Sequence, residues 1–323
     1  MVYRRYLGQI VAVVFGAGVL AGGYAEESVS QFRLQQSVEF LASEALQGRG
    51  YDTLSSQVAA RWLAARLDEI GLEVPEEGRL QTQGEVQNVL GLLPGEDSSE
   101  TIVIAAHYDH LGVRGGEIYH GADDNASGCA AVLEIARILA RSEFVPKRNI
   151  LFAFFDSEEI AKKGSTLYIS KVDTPYMIAV HKPPVFMLNF DMVGRMRNNQ
   201  VELSGFSSSS RLDVWVDQAE AMAPELSISR VALPAANGDH AVFAAYGVPV
   251  LKVFTGNHAD YHLPTDTPDK INYDGLADIT RLGLGIVEAA STDEGDLDDQ
   301  VNPNSPIAVS FTGRLGLKFT RNR

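Results

Sequence analysis

The sequence is poor in three things. It has one cysteine, Cys129, in 323 residues. An internal disulfide is therefore excluded, and so is a cysteine-based metal site; any metal must be held by His, Asp and Glu. Basic residues are scarce, with 27 Lys and Arg against 42 Asp and Glu and a formal net charge of −15. So acidic a chain argues against nucleic acid or an anionic lipid surface as its main partner. Long apolar runs are missing too. The run from Ile10 to Leu20 is too short for a comfortable membrane span. It follows Arg4 and Arg5 and precedes Gly22, Gly23, Tyr24 and Ala25, which is the pattern of a secretory signal. Residues 1–25 are expected to be a signal peptide, sending the protein to the periplasm or the medium; an uncleaved anchor is the alternative. No cysteine lies near Ala25, which argues against a lipid anchor there.

What is present is ordinary globular composition, 45% apolar and 21% charged. Apolar spacing predicts helices over 28–46, 53–70, 127–140, 211–223, 239–246 and 274–290. Short apolar runs predict strands over 87–93, 102–106, 150–155, 185–190, 201–203 and 248–254, with an acidic loop at 96–100. Phe32, Leu34, Val38, Leu41 and Leu46 are expected to share a buried face, and Glu134, Arg137 and Arg141 to lie opposite the apolar stripe of their helix. Alternating strands and helices imply an α/β fold, a three-layer α/β/α sandwich with a mostly parallel mixed central sheet. A domain over 26–291 is followed by an acidic linker and a basic, strand-like tail, 292–323.

Chemistry concentrates where strands end. The runs before His107, Asp156 and Asp191 each stop abruptly at a group that binds metals or protons. In open α/β sheets ligands bind outside the carboxyl ends of the strands. Asp109, two residues past His107, is placed to hold the imidazole and set its tautomer. Asp124 sits in a tight Gly-Ala-Asp-Asp-Asn-Ala-Ser-Gly turn before a helix, where Asp123 and Ser127 read as capping residues. Glu158 and Glu159 are adjacent, so one can bind metal while the other faces a substrate. The loop 255–269 carries His258, Asp260, Tyr261, His262 and Asp266. Each residue has an ordinary reading alone. Together His107, Asp124, Glu159, Asp191 and His262 make two imidazoles and three carboxylates, a set that suits zinc, and suits a pair of ions if one carboxylate bridges. His110 and His120 are expected at the mouth of the cleft, His258 and Asp260 near substrate, Asp239 and His240 in a structural role, and His181 on the surface.

The motifs AAHYDHLG, GADDNASG, FFDSEE, NFDMVG, GDHAVF–GVP and YHLPTDT, in that order, resemble peptidase family M28, the zinc aminopeptidases. The resemblance implies the zinc-peptidase fold and two Zn2+ ions. One ion would take His107 and Asp191, the other Glu159 and His262, and Asp124 would bridge them. It implies Glu158 as general base, Asp109 as the orienting acid and Tyr261 as support for an oxyanion. The substrates would be peptides with free N-termini. His120 and the segment 160–165 depart from the common family pattern. A single-zinc glutaminyl cyclase resembles this fold as well; the paired His107 and Asp124 speak against it. A catalytically dead binding protein would not need an intact Glu158. A carboxypeptidase would need a cation for a substrate carboxylate, for which Arg195 and Arg197 stand nearby in sequence.

Overall fold

The computed structural model describes residues 28–172 and 184–295. The expected signal segment, His181 and nearly all of the tail lie outside these residues. Strands are β1 (Leu80–Gln83), β2 (Val86–Leu93), β3 (Asp97–His107), β4 (Gly112–Arg114), β5 (Glu117–Tyr119), β6 (Arg148–Phe155), β7 (Phe186–Phe190), β8 (Gln200–Ser204), β9 (Ser227–Val231) and β10 (Val250–Phe254). Helices are α1 (Gln31–Leu41), α2 (Leu54–Ile70), α3 (Gly128–Arg141), α4 (Lys163–Val172), α5 (Arg211–Ala219), α6 (His240–Ala245) and α7 (Tyr273–Thr292).

Eight strands form one mixed sheet in the order β1-β2-β6-β3-β7-β10-β8-β9. Its centre, β6-β3-β7-β10, is parallel, so four strand ends that carry polar residues point the same way. Alternation along these strands feeds two cores. Ile102, Ile104, Phe152, Phe154, Leu188 and Phe190 pack with α1, α2, α3, α5 and α7. Val103, Ala105, Leu151, Ala153 and Met187 pack on the other face, with Tyr168 of α4 and Phe243 of α6. This is the expected three-layer sandwich. No described helix is long and apolar enough to cross a membrane.

Several local expectations are corrected. The first helix ends at Leu41, and Phe32 is 67% exposed rather than sharing the buried face. The acidic stretch from Asp97 to Glu100 is the start of β3, displaced by a register shift before Thr101. Asp293 is not in a solvated linker; its carboxylate accepts from the Arg211 guanidinium and from the Trp215 indole at 2.7 Å. Helix α4 and strands β1, β4, β5 and β9 escape the apolar pattern because they are short and polar.

Glu134 and Arg137 are buried, although the helical spacing sets them opposite the apolar stripe. Helix α1 lies over α3, and Glu134 accepts from the Ser30 amide at 2.7 Å and from both Arg33 and Arg137 at 3.0 Å. One carboxylate thus ties the start of α1 to α3 through two guanidiniums. Removing one member of a buried charge cluster leaves the others uncompensated. Glu134→Ala should cost about 3 kcal/mol, read as a lower urea midpoint of the metal-free protein.

Candidate metal centre

The strand ends assemble the centre. His107 closes β3, Glu158 and Glu159 follow β6, Asp191 follows β7, and His262 lies in the loop after β10. Asp124 comes from the turn before α3, whose Asp124–Asn125 peptide is cis. Asn125 joins this turn to the neighbouring strand: its Oδ1 accepts from the amides of Gly128 at 3.0 Å and Met192 at 3.2 Å, and its Nδ2 donates to Phe190 O at 2.9 Å. Only glycine fits at 128, because a Cβ there would sit 2.4 Å from Asn125 Oδ1 and 2.6 Å from Phe190 O. Asn125 therefore caps α3, where capping by Asp123 or Ser127 was expected. Ser127 instead donates to Asp123 and accepts from the Val193 amide.

All five expected donors converge. His107 Nε2 lies 3.3 Å from Asp124 Oδ1 and 3.7 Å from Asp191 Oδ1. His262 Nε2 lies 3.1 Å from Asp124 Oδ2 and 3.2 Å from Glu159 Oε1. A tetrahedral ion 2.0–2.2 Å from its donors spaces them about 3.3–3.6 Å apart. Both sets come close to that spacing, and Asp124 offers one oxygen to each. His107 Nδ1 meets Asp109, 3.2 Å from its carbonyl and 3.5 Å from its carboxylate, which leaves Nε2 for the centre.

The electrostatics make the same demand for cations. Burial works against charge on His107, yet Asp109, Asp124 and Asp191 hold its pKa well above the usual imidazole value. His262 is pushed up to about 10 by hydrogen bonds to Asp124 and Glu159. Without metal the carboxylates gather protons on these rings; a metal ion would displace those protons. The residues present thus fit zinc in donor type, spacing and charge.

Three supports were not foreseen. Asp109 also accepts from the amides of Glu158 at 2.9 Å and Glu159 at 3.3 Å, clamping the glutamate pair to the β3 end. Asp266 Oδ2 accepts from the amides of Asp123 at 2.9 Å and Asp124 at 3.1 Å, clamping the bridging turn to the last loop. Arg49 is fully buried and donates to the carbonyls of Leu41, Tyr108, His120 and Gly121, bracing the turns that hold His107 and Asp124.

Other histidines are reassigned. His110 is no cleft-mouth residue: it is buried inside the centre, with Nδ1 3.0 Å from Glu159 Oε1 and 3.8 Å from Asp124 Oδ2. It forms a second possible donor set with those two carboxylates. Its place three residues past His107, beside the same strand end, is the signal that could have flagged it. His120 hydrogen-bonds Ala42 O at 2.9 Å. His258 turns inward to Asp123, 3.1 Å away, and Asp260 pairs with Arg195 at 2.9 Å and Lys270 at 2.6 Å, so neither waits for substrate. Arg195, through Asp260, and the exposed Arg197, which hydrogen-bonds Asn257 O, both brace the same loop. Asp239 is buried and accepts from Ser165 at 2.6 Å, consistent with the structural role expected of it. Tyr261 is 40% exposed, stacks on His262 at 3.9 Å between ring centroids and lines the same cavity as Glu158.

The model of peptidase family M28 matches residues 88–287. A probable leucine aminopeptidase of Trichophyton verrucosum is 25% identical over 74% of this chain and 68% of its own length. The fold is similar to that of a zinc aminopeptidase from Bacillus subtilis, with a TM-score of 0.68, 14% identity, and coverage of 86% of this chain and 99% of that one. It is similar also to a glutaminyl cyclase from Porphyromonas gingivalis, with a TM-score of 0.64, 18% identity, and coverage of 82% and 99%.

Asp266 touches no expected ligand side chain, so its replacement isolates the value of the clamp. Asp266→Ala should leave the chain folded but weaken zinc retention by roughly 10–100-fold, measured as zinc content after dialysis against graded chelator.

Proposed function

This chain belongs to peptidase family M28, it is a zinc-dependent aminopeptidase, and on that premise we propose that it removes single residues from free peptide N-termini with two zinc ions and Glu158 as general base. The observation that supports the reading is the pair of donor sets sharing Asp124, with Glu158 beside them and outside both. When bound, zinc supplies an acidified water and polarises the carbonyl to be cut.

The protein's own part is proton handling and orientation. Burial raises the Glu158 carboxyl to about 8, with Asp239 and Asp191 adding to the rise and His107 and Lys162 opposing it. A carboxyl poised near neutrality can take a proton from the attacking water and return it to the leaving amine. Asp109 holds Glu158 and Glu159 in their separate roles through the two backbone amides. Tyr261 lines the cavity, and in this reading its hydroxyl donates to the oxyanion. A free substrate α-amine would bind near the Glu159–His262 metal position and the acidic groups around it, which restricts cutting to the N-terminus. The presence of His107 paired with Asp124, beside the donor set around Glu159, favours this reading over a single-zinc cyclase, which needs only one set.

Glu158→Gln should keep the wild-type zinc content and lose roughly 10²–10⁴-fold in kcat; full activity in this variant would refute the base assignment. Asp124→Ala should lose both ions and Asp191→Ala one, by elemental analysis of the purified protein. N-acetylated peptides should survive while free ones are shortened stepwise, by mass spectrometry.

We propose further that the enzyme acts outside the cytoplasm, on the strength of the signal pattern in residues 1–25. Terminal sequencing of the protein from its native host should find an N-terminus just past Ala25.

A further inference from the structure

Strand β10 reads Val-Leu-Lys-Val-Phe. A lysine in the middle of a buried strand breaks the apolar pattern, and no role described so far uses it. Lys252 is 3% exposed and sits in register between Asn189 of β7 and Ser204 of β8. Val250, two residues before it, packs in the core beneath α6. The position would thus be apolar by alternation alone. Its ammonium instead lies 2.7 Å from Asp191 Oδ2 and 4.5 Å from the centre of the Phe254 ring. It lines the same cavity as His107, Asp124 and Glu158. Burying a lysine is costly unless it is paired, so the pairing has to be specific.

Asp191 is therefore shared. Its Oδ1 faces His107 Nε2 at 3.7 Å, and its Oδ2 faces Lys252. We propose that Lys252 is a positioning residue that claims one oxygen of Asp191, restricts it to a single-oxygen metal ligand, and makes the Asp191 position the weaker and more exchangeable of two metal positions. The inference rests on the two-ion reading above. Two effects act in the same direction. The ammonium repels a metal cation bound through the same carboxylate. It also prevents that carboxylate from closing on the ion with both oxygens. Glu159 bears no such restraint: its partners are the imidazoles of His110 and His262 rather than a fixed ammonium. Lys162 on the neighbouring loop reaches Glu158 at 3.8 Å instead. An ion held through a carboxylate already drained of charge keeps more of its own electrophilicity. Lys252 thus exchanges tightness for Lewis acidity at one position.

The test is a zinc titration of the metal-free protein against a competing chelator, for the wild type, Lys252→Met and Lys252→Arg. The same three proteins loaded with Co2+ give visible spectra, in which higher coordination weakens the absorption. Methionine preserves the stem volume and removes the charge; arginine restores the charge. In the wild type two steps of unequal affinity are expected. In Lys252→Met the weaker step should tighten roughly tenfold and the cobalt band at that position should weaken, while Lys252→Arg should follow the wild type in both. An unmoved or weakened zinc step in Lys252→Met, with wild-type cobalt bands, overturns the role of Lys252 and leaves the two-ion reading intact. A single step in the wild type overturns the two-ion reading itself and the comparison of positions with it.

Discussion

Buried carboxylates repel one another, and the centre of this protein crowds them. Asp109, Asp124, Glu158, Glu159, Asp191 and Asp239 meet at one end of four neighbouring strands, mostly sealed from water. Left to themselves they would take up protons or push apart. The surrounding structure limits both. Histidine rings lie between them, Lys252 sits behind Asp191, and backbone amides point at Asp109 and Asp266. The residual negative charge faces the cavity, where metal ions and a substrate amine supply what the chain does not.

That arrangement explains why so much of the scaffold is polar though buried. Asp266 and Asp109 bind no metal in the proposed scheme. Each instead fixes two consecutive amides, and so fixes the direction of the side chains that follow. Arg49 performs the inverse task with carbonyls, joining three segments through one guanidinium. These groups convert a set of flexible loops into a frame. Metal affinity depends on such frames because donor positions a fraction of an ångström off lose much of the binding energy.

The strands and their terminal ligands were legible in sequence because two signals coincide there. An apolar run says where a strand is buried, and a carboxylate or histidine at its end has nowhere idle to go. His107, Asp191 and the Glu158–Glu159 pair were readable on that basis. Asp124 and His262 were legible only as members of a set, through the motif resemblance. Lys252 and the inward turn of His258 were not legible, since each depends on the direction of a side chain, and that direction is set by neighbours distant in sequence. His262 itself adopts a left-handed backbone, with φ of 55°, which no apolar pattern announces. Glu134 misled for a related reason: helical spacing set it apart from the apolar stripe, and α1 then covered it.

The contributors to the centre differ in how firmly they are held. His107, Asp191 and the glutamate pair follow directly from paired strands, so their spacing is set by the sheet. Asp124 and His262 arrive on loops, and in the proposed scheme they supply the bridge and the ligand that complete the second set. Their loops are joined to each other by Asp123–His258 and by Asp266, with Arg195 and Lys270 holding Asp260 alongside. Pairing the two loops makes their errors common rather than independent: a shift of one carries the other with it. The distance from Asp124 to His262 is thereby preserved even when the distance to the sheet changes. Asn125 ties the Asp124 turn to the end of β7 on either side of Asp191, so the loop pair is referred to the sheet at the strand end that carries a ligand candidate.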